Sequence, residues 1–385
     1  MCNLKKPSKI YIIRPNIKVQ AAESHISLGL MNGFLEINMD CQIISGIKFL
    51  PENRKNILII DDLANYRSEK DIKTISKISK EGAVVALWVH WPILKSAKYF
   101  DLHNLLIRKH LNLFEILYGE REVESMMDFQ KFTKRQYHKI PNASPPLPPN
   151  EDLKEKNVNE KDNFDIVFIG SKMQSKSFIF KKVLPLLKRE NPNIKIGLFG
   201  RGFNKRVRIA NAIIKISNKF VAPFSLNLNN FVTNKMVKFN QVITKEREVN
   251  IYRNSKICIN YHEDTPKHII YNLRYFKIPF FGGFQLVDSP LKKSPYFTNE
   301  EVFHIDSDDE KEWVKKINYF LRNPLERYRI QLKGNQKAIQ FHSYKERAKL
   351  FLKIYDETID GFLVYSSRTK FIKSHLFNCF KTLKR

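Results

Sequence analysis

Apolar runs in this chain are short and rich in β-branched residues, and they stop abruptly at polar positions. KIYIIRP (Lys9–Pro15), ILIIDD (Ile57–Asp62) and GAVVALWVHW (Gly82–Trp91) are continuously apolar rather than alternating. That is the pattern of strands buried on both faces of a parallel sheet. Between the last two, Glu69–Glu81 carries isoleucines punctuating charge, as a surface helix does, and SHISLGLMNGFLEI has apolar residues at helical spacing. Phe114–Tyr118 predicts a further short strand.

The same alternation starts again after a break. FDIVFIG (Phe164–Gly170) and IKIGLFG (Ile194–Gly200) read as strands flanking a helix over Phe178–Arg189. Lys256–Asn260 is another strand, followed by a polar loop, an amphipathic segment, a Gly282-Gly283 turn and a strand over Phe284–Val287 that ends on Asp288. Glu310–Leu321, Pro324–Phe341 and Tyr344–Asp360 read as helices. Strands alternating with helices predict an α/β chain of doubly wound parallel sheets. The break itself, Pro141–Asn163, clusters prolines and then mixed charge with almost no apolar residues, which makes it a linker. The expected organisation is therefore a first domain over 1–145, a linker over 146–163, a second domain over 164–345, and a helical tail over 346–385 that packs back on the first domain.

Composition narrows the class. A chain of 385 residues with 43% hydrophobic content has room for two domains, each with its own core. Its longest apolar runs, such as Ala83–Val89, fall well short of the ~20 residues that span a bilayer. The N-terminal MCNLKKPSK leads directly into a strand-like segment without an apolar signal region. Cys2, Cys41, Cys258 and Cys379 lack pair spacing, which suits a reducing cytosol and argues against disulfide or zinc frameworks. The formal charge of +28 favours polyanions as partners. Most of it is lysine in a chain also rich in Ile and Asn, as an AT-rich genome would encode, so the charge alone selects no function.

Candidate chemistry sits where strands end, because open α/β sheets bind ligands at the carboxyl ends of their strands. Gly170-Ser171-Lys172 closes one predicted strand: glycine admits close backbone approach and the lysine reaches a phosphate, although a plain strand-to-helix turn uses the same residues. Gly200-Arg201 has the same two readings. Neither is the G-x-G-x-x-G fingerprint of dinucleotide enzymes. No His, Cys or carboxylate set has metal-ligand spacing, so no metal is expected.

INYHEDTPKHIIYNLRYFKIPFFGGFQLVD, then VFHIDSDDEKEWVKKINYFLRNPLERYRI, then HSYKERAKLFLKIY follow an order that resembles the CgeB-like branch of the group-1 glycosyltransferase superfamily, over about Phe164 to Tyr355. SHISLGLMNGF and IPNAS fit the same family loosely. The resemblance implies a GT-B fold, two Rossmann-like doubly wound domains facing across a cleft. The nucleotide-sugar would sit against the C-terminal domain and a glycan or other surface-polymer acceptor, such as a lipid-linked one, against the N-terminal domain, with no metal-binding Asp-x-Asp motif. The chain departs from the family at Lys277, where the resemblance implies a glutamate that accepts ribose hydroxyls; a lysine accepts nothing.

On this resemblance Arg274 is the foremost site residue, since a departing diphosphate needs a permanently charged bidentate donor. Asn260, His262 and Asn272 would bind the donor, and Lys277 would pair with a phosphate, turn away, or mark a decayed site. His90 would face the transferred sugar as an orienting group or base, with His25 and the Asp61-Asp62 pair as weaker candidates. The expected protein is a cytoplasmic transferase, with peripheral contact to an anionic membrane through the basic, apolar tail GFLVYSSRTKFIKSHLFNCFKTLKR as one reading of that segment. The competing reading is a non-catalytic polyanion- or membrane-surface-binding protein on a degenerate GT-B fold; nucleic acid is not the expected partner.

Overall fold

The computed structural model describes residues 6–14, 22–62, 69–89, 110–145, 163–171, 176–200, 243–262, 271–288 and 294–360. The described residues fall into two compact units. One takes those up to Pro141 together with those from Tyr344 onward, and the other is Asn142–Ser343. Residues 146–162 and 361–385, the expected linker and the end of the tail, lie outside the described residues.

In the first unit, β1 (Lys9–Ile13), α1 (Ala22–Glu36), β2 (Cys41–Ile44), β3 (Ile57–Asp62), α2 (Glu69–Lys80), β4 (Val84–Trp88), β5 (Ile116–Gly119), α3 (Met127–Thr133) and β6 (Tyr137–Lys139) follow in order. All six strands are parallel, in the order β2-β1-β3-β4-β5-β6. The continuous apolar runs behave as their composition requires: every residue of β3 and of β4 is buried. On α2, Ile72, Ile75 and Ile78 turn inward at a spacing of three, placing lysines outside. A helix over residues 344–360 completes the unit. Its Phe351 meets Phe34 and Tyr118 edge-on, at 6.1 and 4.9 Å between ring centres. Its start lies so close to α1 that a Cβ on Gly33 would stand 2.3 Å from the Tyr344 carbonyl oxygen.

The second unit runs β7 (Ile166–Ile169), α4 (Leu184–Glu190), β8 (Ile196–Phe199), α5 (Lys245–Asn254), β9 (Ile257–Asn260), α6 (Leu273–Phe280), β10 (Gln285–Asp288), β11 (Phe303–Ile305), α7 (Glu310–Arg322) and α8 (Pro324–Phe341). Its five strands are again parallel, ordered β11-β10-β9-β7-β8. Counted from the first strand of each unit, both sheets share one winding, so the strand order reverses between β1 and β3 and again between β7 and β9. These are the points at which a doubly wound sheet opens a crevice at its carboxyl edge. The helix expected over Phe178–Arg189 is a π turn (Ile179–Val183) running into α4. Pro185 sits at that junction; it lacks an N–H for the carbonyl one turn back, and a wider turn accommodates it.

Candidate active site at the switch point of the second sheet

Strands β7 and β9 end side by side, and the sequence places glycine at the end of one and asparagine at the end of the other. Gly170 has φ of 156° and its N–H bonds the Phe199 carbonyl at 2.7 Å. Gly200, with φ of 123°, packs so tightly on it that an added Cβ would lie 2.3 Å from the Gly170 oxygen. These two glycines leave room for one side chain, that of Arg274. Its Nη1 donates to the Ile169 carbonyl at 2.9 Å and its Nη2 to the Tyr261 carbonyl at 3.5 Å, so the guanidinium bridges the exits of β7 and β9. The Phe168 ring lies beneath it, 4.8 Å from Cζ. The cation is thus fixed over the switch point by main-chain carbonyls from both strands.

Arg274 is held there because α6 starts where it does. Asn272 is the N-cap: its Oδ1 accepts the Tyr275 N–H at 3.1 Å, while its Nδ2 donates to Asn260 Oδ1 at 3.0 Å, tying the helix start to the end of β9. From β10, Gln285 Nε2 donates to the Arg274 carbonyl at 3.3 Å. The positive end of the α6 dipole and its first N–H groups therefore face the same edge as the guanidinium.

His262, just past β9, is buried, and Asp288 at the end of β10 holds it twice. The carboxylate Oδ1 takes the His262 backbone N–H at 2.9 Å and Nδ1 at 2.8 Å. A carboxylate only accepts, so Nδ1 carries the proton. His262 Nε2, Asn260 Nδ2 and Gln285 Oε1 are buried without a hydrogen-bond partner. Each such atom costs about 1–3 kcal/mol, an expense most often found where function uses the group. Behind them, Tyr275 Oη sits between Ser294 Oγ at 2.5 Å and His304 Nε2 at 2.8 Å, and His304 Nδ1 meets Asn299 Oδ1 at 2.9 Å. Burial, and then the neighbouring His262, push the His304 imidazole down to about 4, with Asp288 opposing.

Lys277, one turn past Arg274, is engaged by a carboxylate from another helix. Its Nζ lies 2.6 Å from Glu248 Oε2 of α5, with the two side chains 14% and 12% exposed. The reversed charge at this position is thus balanced inside the protein. Ser171 follows Gly170 at the same edge, half-buried. Lys172, Arg201 and His90 lie outside the described residues, and His25 falls on α1 with its side chain outside them. In the first unit Asp61 and Asp62 are buried at the carboxyl end of β3, with Asp61 Oδ1 taking the Asp62 N–H at 2.8 Å. Among the described residues no group of three His, Cys, Asp or Glu side chains is placed to hold a metal ion, and no helix is long and apolar enough to cross a membrane.

Sequence reasoning passed over Gln285, Glu248, Tyr275 and His304, and took Asp288 only as a strand end. Asp288 had a usable signal, a carboxylate at the exit of an apolar run. The others act through neighbours that only strand order reveals.

Two parallel sheets of this shared winding are a GT-B fold. Residues 181–353, just under half of the chain, match the family described as glycosyl transferase-like. No curated protein sequence matches the chain. Among solved structures, TarM aligns with 80% of this chain at a TM-score of 0.53 and 14% identity, and the chain spans only 56% of TarM. Sucrose-phosphate synthase from Thermosynechococcus elongatus aligns over 92% of this chain and 100% of its own, with a TM-score of 0.58 and 11% identity. HepE from Anabaena, solved with UDP and glucose, aligns over 90% and 98%, with a TM-score of 0.56 and 13% identity. Identity this low speaks to the fold. The chain is a GT-B protein whose second unit carries a glycosyltransferase-like domain.

Proposed function

We propose that the protein is a glycosyltransferase that moves a sugar from a nucleoside-diphosphate donor to a glycan or other surface-polymer acceptor. The observation that carries the reading is Arg274, a guanidinium pinned at the switch point beside the start of a helix. As the glycosidic bond breaks, two negative charges gather on the departing diphosphate. A cation fixed beforehand, backed by N–H groups at a helix start, stabilises that state without reorganising. The reading needs no metal, because guanidinium and helix supply the positive charge. His262, its tautomer set by Asp288, offers Nε2 as an acceptor for a donor hydroxyl, and Asn260 offers an amide donor. HepE with UDP and glucose, and a UDP-2-fluoro-glucose complex of the trehalose-6-phosphate system of E. coli, support a nucleotide-sugar as donor. TarM, solved with UDP and an α-GlcNAc-glycerol, supports a polymer-type acceptor. The CgeB-like branch, a hexosyl group and a cytoplasmic setting belong to the same proposal.

The experiment is a screen of nucleotide-sugars for slow hydrolysis by the full chain, with released UDP, GDP, dTDP, ADP and CDP measured separately. One base class released well above the others, and lost with Arg274→Ala, is expected. Release of none by a folded protein that also binds no nucleoside diphosphate would remove the reading.

A further inference from the structure

The long helix α8 is apolar on two sides. Ile330, Gly334 and Ala338, at a spacing of four, face the core, and at Gly334 an added Cβ would lie 2.1 Å from the Glu301 carbonyl oxygen. That packing fixes the helix and turns a second stripe outward: Leu325, Tyr328, Leu332 and Ile339, spaced three, four and seven apart. Leu325 is 86% exposed, Tyr328 55% and Leu332 45%. A surface helix of a soluble domain normally carries polar residues there.

Beside this stripe, across the α7–α8 corner, lies a groove of about 500 Å³ whose lining includes Lys311, Lys315, Arg322 and Tyr319. The carboxylates near the corner are already engaged. Glu190 accepts from Asn318 at 3.1 Å, Glu326 accepts from Tyr319, Glu312 stands 3.9 Å from Lys315, and Glu300 pairs with Lys333 at 2.5 Å. Lys311, Arg322 and Arg329 form no ion pair among the described residues. An apolar ridge and a cationic groove therefore share one corner, with Tyr319 and Arg322 between them.

We propose that this corner docks on an anionic lipid bilayer, with headgroup phosphates in the Lys311–Arg322 groove and Leu325, Tyr328 and Leu332 entering the interface between headgroups and acyl chains. Two features together select this occupant. The cationic rim, on a chain of net charge +28, repels a second copy of itself and attracts an anionic surface. The leucines need an apolar phase, which a nucleic acid or an acidic peptide does not offer and a bilayer does. Tyrosine and arginine at the boundary suit the interface, where an apolar body and a polar tip are both solvated. This is a property of the corner itself and stands apart from the catalytic reading.

The test is flotation of the full chain with vesicles of phosphatidylcholine alone, or with about one-third phosphatidylglycerol, for wild type, Arg322→Glu/Arg329→Glu and Leu325→Ser/Leu332→Ser. All four positions are exposed, so the variants keep the fold, which thermal melting checks. Wild type is expected to float with the anionic vesicles only. Each basic residue near an anionic surface is worth about fivefold in partitioning, so the charge-reversed pair should lose more than tenfold. The serine pair should lose about fivefold or more at unchanged charge. A tryptophan at Tyr328 should shift its emission to the blue on anionic vesicles. Equal flotation with both vesicle types, or none, would overturn the proposal. So would full binding by either double variant, which would place the contact elsewhere in the chain. Glycerol phosphate bound in the groove without vesicle binding would reduce it to a soluble anion site and equally overturn it.

Discussion

Gly170→Ala separates the placement of Arg274 from its presence. A methyl group at Gly170 would stand 2.0 Å from Arg274 Nη1 and 3.0 Å from Cζ, closer than the roughly 3.5 Å of an ordinary non-bonded contact. The guanidinium must retreat by about 1.5 Å, and the 2.9 Å bond to the Ile169 carbonyl cannot survive that retreat. The atom displaced is the far end of a flexible side chain, so stability should fall little. The φ of 156° adds strain of about 1–2 kcal/mol for a residue with a Cβ. Ligand binding should suffer far more. A charge-assisted hydrogen bond is worth about 1.5–3 kcal/mol, and an ångström of misplacement at a reacting group costs up to about a hundredfold. Gly170→Ala should therefore weaken nucleoside diphosphate affinity by at least about tenfold, as Arg274→Ala should. The double variant should be no worse than either single one, since both remove one interaction. Calorimetric titration with UDP and GDP, alongside thermal melting, measures all of this. Affinity of Gly170→Ala within twofold of wild type, or additive losses in the double variant, would refute the placement of the diphosphate at Arg274.

Three further outcomes follow from the same geometry. Lys277→Glu should destabilise the second unit by about 3 kcal/mol, because it sets two carboxylates together where Glu248 now meets an ammonium at 2.6 Å. Adding Glu248→Lys should restore most of that in urea unfolding, and a lone Lys277→Glu as stable as wild type would deny the pair. His304 is held neutral, its value lowered to about 4 from an ordinary 6.5, so the unfolded chain binds the extra proton first and stability should fall as pH drops from 6.5 to 4. Discounted for partial exposure, that loss is about 1–2 kcal/mol, and His304→Gln should flatten the curve of urea midpoint against pH over that window. Excess EDTA should leave turnover unchanged, whereas a loss restored by a divalent cation would show that the guanidinium does not carry the leaving group alone.

The parts of the fold legible in sequence are those in which one element buries itself. ILIIDD is buried throughout, and its apolar run cannot be anything solvent-facing. By contrast CQII, with one exposed and one half-buried residue, and the three-residue strands YHK and FHI carry too little pattern to register. Lys245–Asn254 reads as plain charge, and only its inward Val249, Ile251 and Tyr252 show why it is a helix. At the site, Gly170, Asn260, Asn272 and Arg274 stood out because glycine and polar residues end apolar runs, and the structure brings these four to one edge. Their supports did not stand out. Gln285 reaches the Arg274 carbonyl, Asp288 reaches His262 and Glu248 reaches Lys277 only because β10 lies beside β9 and α5 beside α6. Strand order is not a local property of sequence. The Lys277 departure looked like a defect for the same reason: the carboxylate that balances it lies on a different helix.

Nucleotide-sugar hydrolysis by wild type and Arg274→Ala, with the released nucleotide identified, tests glycosyl transfer at the switch point most directly. Wild type should release one class of nucleoside diphosphate, and Arg274→Ala should lower kcat/KM roughly a hundredfold while melting at the same temperature. Hydrolysis by the variant at the wild-type rate, with the fold intact, would place the chemistry away from Arg274 and contradict the account.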